Sequence, residues 1–156
     1  MIRLSKLADY GIVIMTHMAR HADRQHSAVE IAAEAHLPQP MASKILKGLA
    51  RAGLLTSSRG AKGGYVLARP ATAINVADII TALEGPIALT ACIEDGPGEC
   101  DIEAMCPARA NWQRINDAIR GALEEISLAE MAHAIPPAFA GPALSLMRPG
   151  ALPSRW

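Results

Sequence analysis

Residues 27–67, SAVEIAAEAHLPQPMASKILKGLARAGLLTSSRGAKGGYVL, decide the fold. Ser27-Ala28-Val29-Glu30 reads as a capping box, in which the hydroxyl and the carboxylate satisfy each other's orphan amides, so a helix begins here and runs to about Ala35. His36-Leu37-Pro38 is a short turn. Pro40 suits the first turn of the next helix, because its missing N–H would have had no helical partner there. From Pro40 to Ala52 the helical period sets Ile45, Leu46 and Leu49 on an inner face and Ser43, Lys44, Lys47 and Arg51 outside, and Gly53 ends the run. Two short segments with strand character follow, Leu54 to Ser57 and Tyr65 to Leu67. They are joined by Arg59-Gly60-Ala61-Lys62-Gly63-Gly64, a basic, glycine-rich hairpin tip.

Working outward, a first helix starts at Ser5, with Leu4, Leu7, Gly11, Ile14 and Met18 at spacings of three and four. Gly11 costs about 1 kcal/mol against Ala in a helix, which points to close approach of another backbone. Helix, helix, short turn, helix and basic hairpin is the order of a winged helix-turn-helix. Beyond Arg69-Pro70, Asn75 caps a fourth helix that Gly85-Pro86 stops after about Glu84. Residues 86–106 lack sustained periodicity and hold all three cysteines. After Pro107, Trp112, Ile115, Ile119, Ala122, Ile126 and Ala129 keep the spacing of a coiled-coil seam, which predicts one long helix that needs a partner. Five prolines and no acidic residue from Pro136 to Trp156 predict a disordered tail.

The expected fold class is therefore mainly α: a winged helix-turn-helix with a small β-hairpin wing, a cysteine-containing loop and a long C-terminal dimerisation helix. The expected division is 1–70 for the DNA-binding domain, 71–132 for the loop and dimerisation helix, and 133–156 for the Pro-rich tail.

Composition agrees. The chain has 156 residues, enough for one domain with an appended element, and is 51% hydrophobic but only 3% aromatic, so its core is aliphatic and helices pack on helices. So few aromatics argue against a stacking platform for single-stranded nucleic acid. Net charge is zero, with 15 basic and 15 acidic residues, but the total is a cancellation. Residues 1–70 carry ten Lys/Arg against four Asp/Glu, a net of +6, and residues 71–156 carry five against eleven, a net of −6. A basic N-terminal half is the electrostatic footprint of a nucleic-acid module.

The apolar run near the N-terminus is too short and too polar for a signal peptide, and nothing approaches a membrane span. Three cysteines in fifteen positions, an odd and crowded set, do not read as a disulfide framework, so the expectation is a cytoplasmic protein whose thiols are reduced or metal-bound.

A helix-turn-helix places the N-terminal end of its second helix in the major groove. Here that end is Pro40, Met41, Ser43 and Lys44, with Lys47 and Arg51 further along for phosphates. In the wing, Arg59 and Lys62 are placed to meet phosphates or a minor groove, and Gly63 and Gly64 let backbone approach the duplex. Cys92, Cys100 and Cys106 contain no CxxC pair, so zinc ribbons and thioredoxin-type motifs fit poorly; three thiolates on a loop can hold an iron–sulfur cluster if a fourth ligand comes from elsewhere. Asp9 sits in a first helical turn, where the helix dipole alone accounts for it. Among the five histidines, His17 and His21 are one i, i+4 pair, and no zinc signature is formed.

The opening Arg3-Leu4-Ser5-Lys6-Leu7-Ala8-Asp9-Tyr10, the wing Arg59 to Tyr65, the Asn75-Val76-Ala77-Asp78-Ile79-Ile80 helix and the three-cysteine loop together resemble the IscR and NsrR family of winged-helix regulators, the Rrf-two family. The similarity covers about residues 1–132, and the stretch through Met15 is most similar to the branch that regulates SUF iron–sulfur assembly operons. The resemblance implies a homodimer joined through the C-terminal helices, bound to a pseudo-palindromic double-stranded DNA operator. It also implies one iron–sulfur cluster per subunit, 2Fe-2S preferred and 4Fe-4S the alternative, with Cys92, Cys100 and Cys106 as ligands.

Two departures matter. The first cysteine gap is longer than the family's, an insertion a loop absorbs. Arg109 stands where IscR has its histidine ligand, and a guanidinium that stays protonated cannot ligate iron. Asp9 is the candidate fourth ligand, matching the acidic residue that the NsrR branch contributes from the partner subunit; His36, Asp101 and Glu103 are the alternatives.

The expected function is a cluster-dependent repressor of SUF genes that senses cluster status, iron or oxidative stress, with no membrane and no small-molecule substrate. Two rivals are a nitric oxide or redox sensor of the same fold, and an iron–sulfur carrier or electron-transfer protein. An enzyme is disfavoured, because the chain offers no nucleophile and base pair, no phosphate loop and no dinucleotide fingerprint.

Overall fold

The computed structural model describes residues 3–60, 63–93 and 105–133. Helix α1 (Lys6–Arg20) starts where Ser5 Oγ accepts from the N–H groups of Leu7 and Ala8. Helix α2 (Ala28–Glu34) begins with both halves of its capping box made: Ser27 N–H donates to Glu30 Oε2 at 2.8 Å, and Glu30 N–H to Ser27 Oγ at 3.2 Å. Helix α3 (Gln39–Arg51) starts one residue before Pro40 and has no side-chain cap. The Pro38 carbonyl instead accepts from Met41 N–H and Ala42 N–H. Gly53, at φ +76°, ends the helix in the left-handed region that glycine enters without steric cost.

Strands β1 (Leu55–Ser58) and β2 (Gly64–Leu67) pair antiparallel, Leu55 opposite Leu67 and Ser58 opposite Gly64. Leu54 stays out of β1 because its N–H donates back to the Leu49 carbonyl, closing the end of α3. An unforeseen third extended segment joins the wing: His26 and Tyr65 exchange backbone hydrogen bonds at 3.0 and 2.8 Å. After a single 3-10 turn (Ala71–Ala73), helix α4 (Val76–Glu84) opens with an Asn75–Asp78 capping box and closes at Gly85, φ +90°.

The predicted single long C-terminal helix is two. Helix α5 (Arg109–Glu125) stops at Ile126, and a short α6 (Leu128–His133) follows. Ser127 starts α6 as Ser27 starts α2, with its N–H on Glu130 Oε2 and Glu130 N–H on Ser127 Oγ. The break is held from outside, since Val76 N–H donates to the Ile126 carbonyl and Leu128 N–H to the Ile74 carbonyl. Ala129 therefore lies on α6, off the seam. Beyond His133, which is helical, the Pro-rich tail lies outside the described residues.

Among the described residues, no Phe, Tyr or Trp side chain is fully buried. Ile14, Met15 and Met18 of α1 pack with Ile31, Ile45, Leu46 and Leu49, and the same cluster takes in Ile74, Ile79 and Leu128. Hydrophobic packing therefore runs continuously across residue 70. Gly11 lies where α1 meets α4: a Cβ there would run into Leu83 Cδ1, so the close neighbour is the end of a side chain rather than backbone.

Because Leu128 is fully buried in the core of the winged helix, Leu128→Ala is expected to lower unfolding free energy by about 2–5 kcal/mol. The control Val29→Ala, at an exposed position, shifts it by under about 0.5 kcal/mol; chemical denaturation of both variants checks the pair.

Candidate nucleic-acid interface and metal centre

Helix α3 is held by its apolar face. Ala42, Ile45, Leu46 and Leu49 are buried, which fixes the helix's rotation and leaves Pro40, Lys44, Lys47 and Arg51 exposed and Met41 and Ser43 half-buried. Among the described residues, Lys44, Lys47, Arg51 and Arg59 have no ion-pair partner, in contrast to Arg24 and Arg69, which hold Glu34 and Asp78. A shallow groove runs between α3 and the wing, lined by Lys47, Ala50, Arg51, Ser57 and Tyr65. Cations left unpaired beside such a groove are available to phosphates at no cost of breaking an internal pair.

The glycines of the wing answer first to the protein's own backbone. A Cβ at Gly63 would meet the Ser58 carbonyl oxygen at 2.5 Å, and one at Gly64 the His26 carbonyl oxygen at 2.6 Å. Both are tight-packing requirements of the hairpin and of its His26 bridge. Lys62 lies outside the described residues.

Of the three cysteines, Cys100 is outside the described residues, as are Asp101 and Glu103. Cys92 is a free, buried thiol within 3.3 Å of Thr90 Oγ1, and Cys106 is free and half-buried, its carbonyl accepting from Arg109 N–H just ahead of α5. Leading into Cys92, the chain is latched to α5 by Asn116, which is only 4% exposed. Its Nδ2 donates to the Ile87 carbonyl at 2.9 Å and its Oδ1 accepts from Leu89 N–H at 3.1 Å. The side-chain amide thus imitates a strand partner for an extended segment. Sequence reading missed Asn116; its one signal is a polar residue directly beside the apolar position Ile115.

Asp9 is exposed on α1, and it lines one cleft with Thr16, His17, Glu34 and His36. Two of the fourth-ligand candidates, Asp9 and His36, are therefore brought to the same surface. His36 itself has φ +54°, in the turn between α2 and α3. Within that cleft His17 Nε2 lies 2.6 Å from Glu34 Oε2, a pairing that no spacing in the sequence signals. Burial pushes the His17 imidazole below its ordinary pKa, against the hydrogen bond and charge of Glu34.

A helix-turn-helix with an exposed cationic second helix and a hairpin wing defines a winged-helix DNA-binding protein. Residues 4–134 match the family described as Rrf2, iron-dependent transcriptional regulator, and the chain belongs to that family. It is 35% identical over 133 residues to the HTH-type transcriptional regulator CymR of Bacillus subtilis, covering 84% of this chain and 90% of that one. The solved structure of CymR, the global cysteine regulator of B. subtilis, superposes with a TM-score of 0.70 at 34% identity, over 87% of this chain and all of that one. The structure of T. potens IscR gives 0.65 at 31% identity, covering 85% of this chain and 87% of that one. The protein is accordingly a transcriptional regulator and not an enzyme, and among the described residues no helix is long and apolar enough to cross a membrane.

Asn116→Ala leaves the Leu89 N–H and the Ile87 carbonyl without partners. The expected loss is about 1–3 kcal/mol of stability, with faster alkylation of Cys92 by a thiol reagent because the segment carrying it is released. Denaturant midpoints and timed thiol labelling check both effects.

Proposed function

We propose that the protein is a repressor of iron–sulfur cluster assembly (SUF) genes, and that it reports iron–sulfur status. The observation that carries this reading is the Asn116 latch: it ties the segment leading to Cys92 onto α5, the helix whose first turn follows Cys106, so two thiols flank residues 94–104 from one joined unit. The donor set fits the group. Soft thiolates from Cys92, Cys100 and Cys106 suit iron–sulfur ligation, whereas Arg109 cannot serve. When bound, a cluster supplies a group whose retention depends on iron and oxidant supply. Asp9, exposed on α1, is open to a partner subunit as fourth ligand. The description of the family as iron-dependent supports the reading.

The regulator acts as a homodimer on a pseudo-palindromic operator. Trp112 and Ile115 of α5 are 39% and 44% exposed, the beginning of the apolar seam that a second α5 would cover. In this reading Pro40, Met41, Ser43 and Lys44 face the bases, and Lys47, Arg51, Arg59 and Lys62 the phosphates. Contact from α3 and the wing supports steep salt dependence: two protomers, each bringing at least Lys47, Arg51 and one wing cation, neutralise about six phosphates.

A second reading is favoured by the 35% identity to CymR and the likeness to its structure, that of a global cysteine regulator: control of cysteine-related genes, with Cys92 and Cys106 remaining free thiols. Anaerobic purification followed by iron and acid-labile sulfide analysis separates the two. The cluster reading expects both elements together with visible absorption, and Asp9→Ala is expected to change that absorption and the operator affinity. Protein free of iron and sulfide would overturn it in favour of the thiol reading.

For DNA, operator affinity measured across salt concentrations is expected to follow a log–log slope of about −5. Lys47→Ala is expected to flatten the slope by about 1 for each phosphate contact removed, with little change in sequence preference, whereas Ser43→Ala alters which sequence is preferred.

A further inference from the structure

Three side chains of the DNA-binding domain that the cysteine site does not use converge at the junction of α1, α2 and the wing. His17 comes from the last turn of α1, Glu34 is the last residue of α2, and His26 lies in the segment that bridges to Tyr65 of β2. Each offers a ligand atom within 4.8 Å of the other two. The ring of His21 completes a triangle of imidazoles, its centroid 4.9 Å from that of His17 and 6.4 Å from that of His26.

An ion pair and a core histidine would account for part of this arrangement. They do not account for His26 Nδ1. His26 is 1% exposed and its Nε2 lies 3.0 Å from the His21 carbonyl, to which it can only donate. That fixes the tautomer and leaves Nδ1 as a bare lone pair, buried and without any partner. A ring nitrogen with a free lone pair, oriented by a backbone carbonyl on the opposite nitrogen, is the arrangement that metal-ligating histidines adopt. Burial also favours the neutral, ligating form of His17. Burial works against ionisation of Glu34, yet hydrogen bonds from Arg24 and His17 hold its carboxyl below the usual range, as the anion. The cleft lined by Thr16, His17, Arg20 and Glu34 gives an ion access from solvent.

We propose that His17, His26 and Glu34 form a binding site for a divalent transition-metal ion, separate from the three cysteines. Two imidazoles and one carboxylate match the donor preference of Zn2+ and its neighbours in the first transition row, and not the all-oxygen preference of Mg2+ or Ca2+. The metal takes the Nε2 lone pair of His17 beside Glu34, the neutral ring's proton moving to Nδ1, and His21 or a water completes the coordination. Arg24, which bonds both oxygens of Glu34 at 2.9 and 3.0 Å, is the competing cation; its side chain is 39% exposed and free to swing into solvent. An ion there clamps α1 to the end of α2, immediately before the turn into α3, and through the His26–Tyr65 bridge to the wing. The site would thus fix the recognition helix's support and the wing in one relation.

The test uses the full chain carrying Cys92→Ser, Cys100→Ser and Cys106→Ser, stripped with chelator and titrated with Co2+ and then Zn2+. One Co2+ per chain is expected, with visible d–d absorption and no thiolate-to-cobalt charge-transfer band, displaced by Zn2+ with a rise in Tm. In that background Glu34→Gln, at an exposed position, and His17→Gln should each weaken binding about tenfold or more with the far-UV spectrum unchanged. Arg24→Gln should tighten binding, an effect opposite to that of breaking a purely structural ion pair. Absence of stoichiometric Co2+ and Zn2+ uptake by the cysteine-free chain, or uptake indifferent to both Glu34→Gln and His17→Gln, would overturn the assignment.

Discussion

Helix α1 is buried on two sides, and everything else is placed by that. Ile14, Met15 and Met18 close the core beneath α2 and α3, and Ala8 packs with Val76 and Ile80 of α4. A helix with apolar residues nearly all round cannot stand on a surface; it must be enclosed by later elements. At Gly11 the missing Cβ leaves the space that the Leu83 side chain of α4 occupies. Leu128, from far along the chain, then fills the remaining face. The recognition helix α3 is consequently seated on a scaffold to which the cysteine-bearing half contributes, so changes in that half have a packed route to the DNA-binding surface.

Polar ties do the finer positioning. Capping boxes at Ser27, Asn75 and Ser127 fix where α2, α4 and α6 begin. Backbone bridges at His26 with Tyr65 and at Asn75 with Ser127 hold the wing and the end of α5. Each satisfies amides that would otherwise have no partner within the fold. Asn116 does the same for residues 87–89, where no regular element exists to do it. The segment before Cys92 is therefore tied down by this side chain together with the packing of Ile87 against Ala8, Val76 and Ile80.

Much of this was legible in the chain. The Ser27–Glu30 box, the proline at the start of α3, Gly53 after it and the basic glycine-rich hairpin spell out the winged helix, because local backbone chemistry writes its own punctuation. The cationic outer face read on α3 is present, with Lys44, Lys47 and Arg51 exposed. The long final helix was misread. Its seam spacing continues through Ile126 to Ala129, while the stop comes from Ser127 and Glu130, the same box already recognised at Ser27, together with hydrogen bonds from residues 74 and 76. Periodicity outweighed a cap signal that the sequence does contain.

The sequence by itself determined the helices, the hairpin, the aliphatic core and the cationic face of α3, since propensity, capping and apolar spacing act between residues a few positions apart. Only the tertiary structure decided that the break after α5 is tied to Ile74 and Val76, that Asn116 clamps the chain ahead of Cys92, and that His17, His26 and Glu34 meet. Those outcomes join residues from different elements, whose proximity is set by how α1 is enclosed. No spacing along the chain encodes a distance across it.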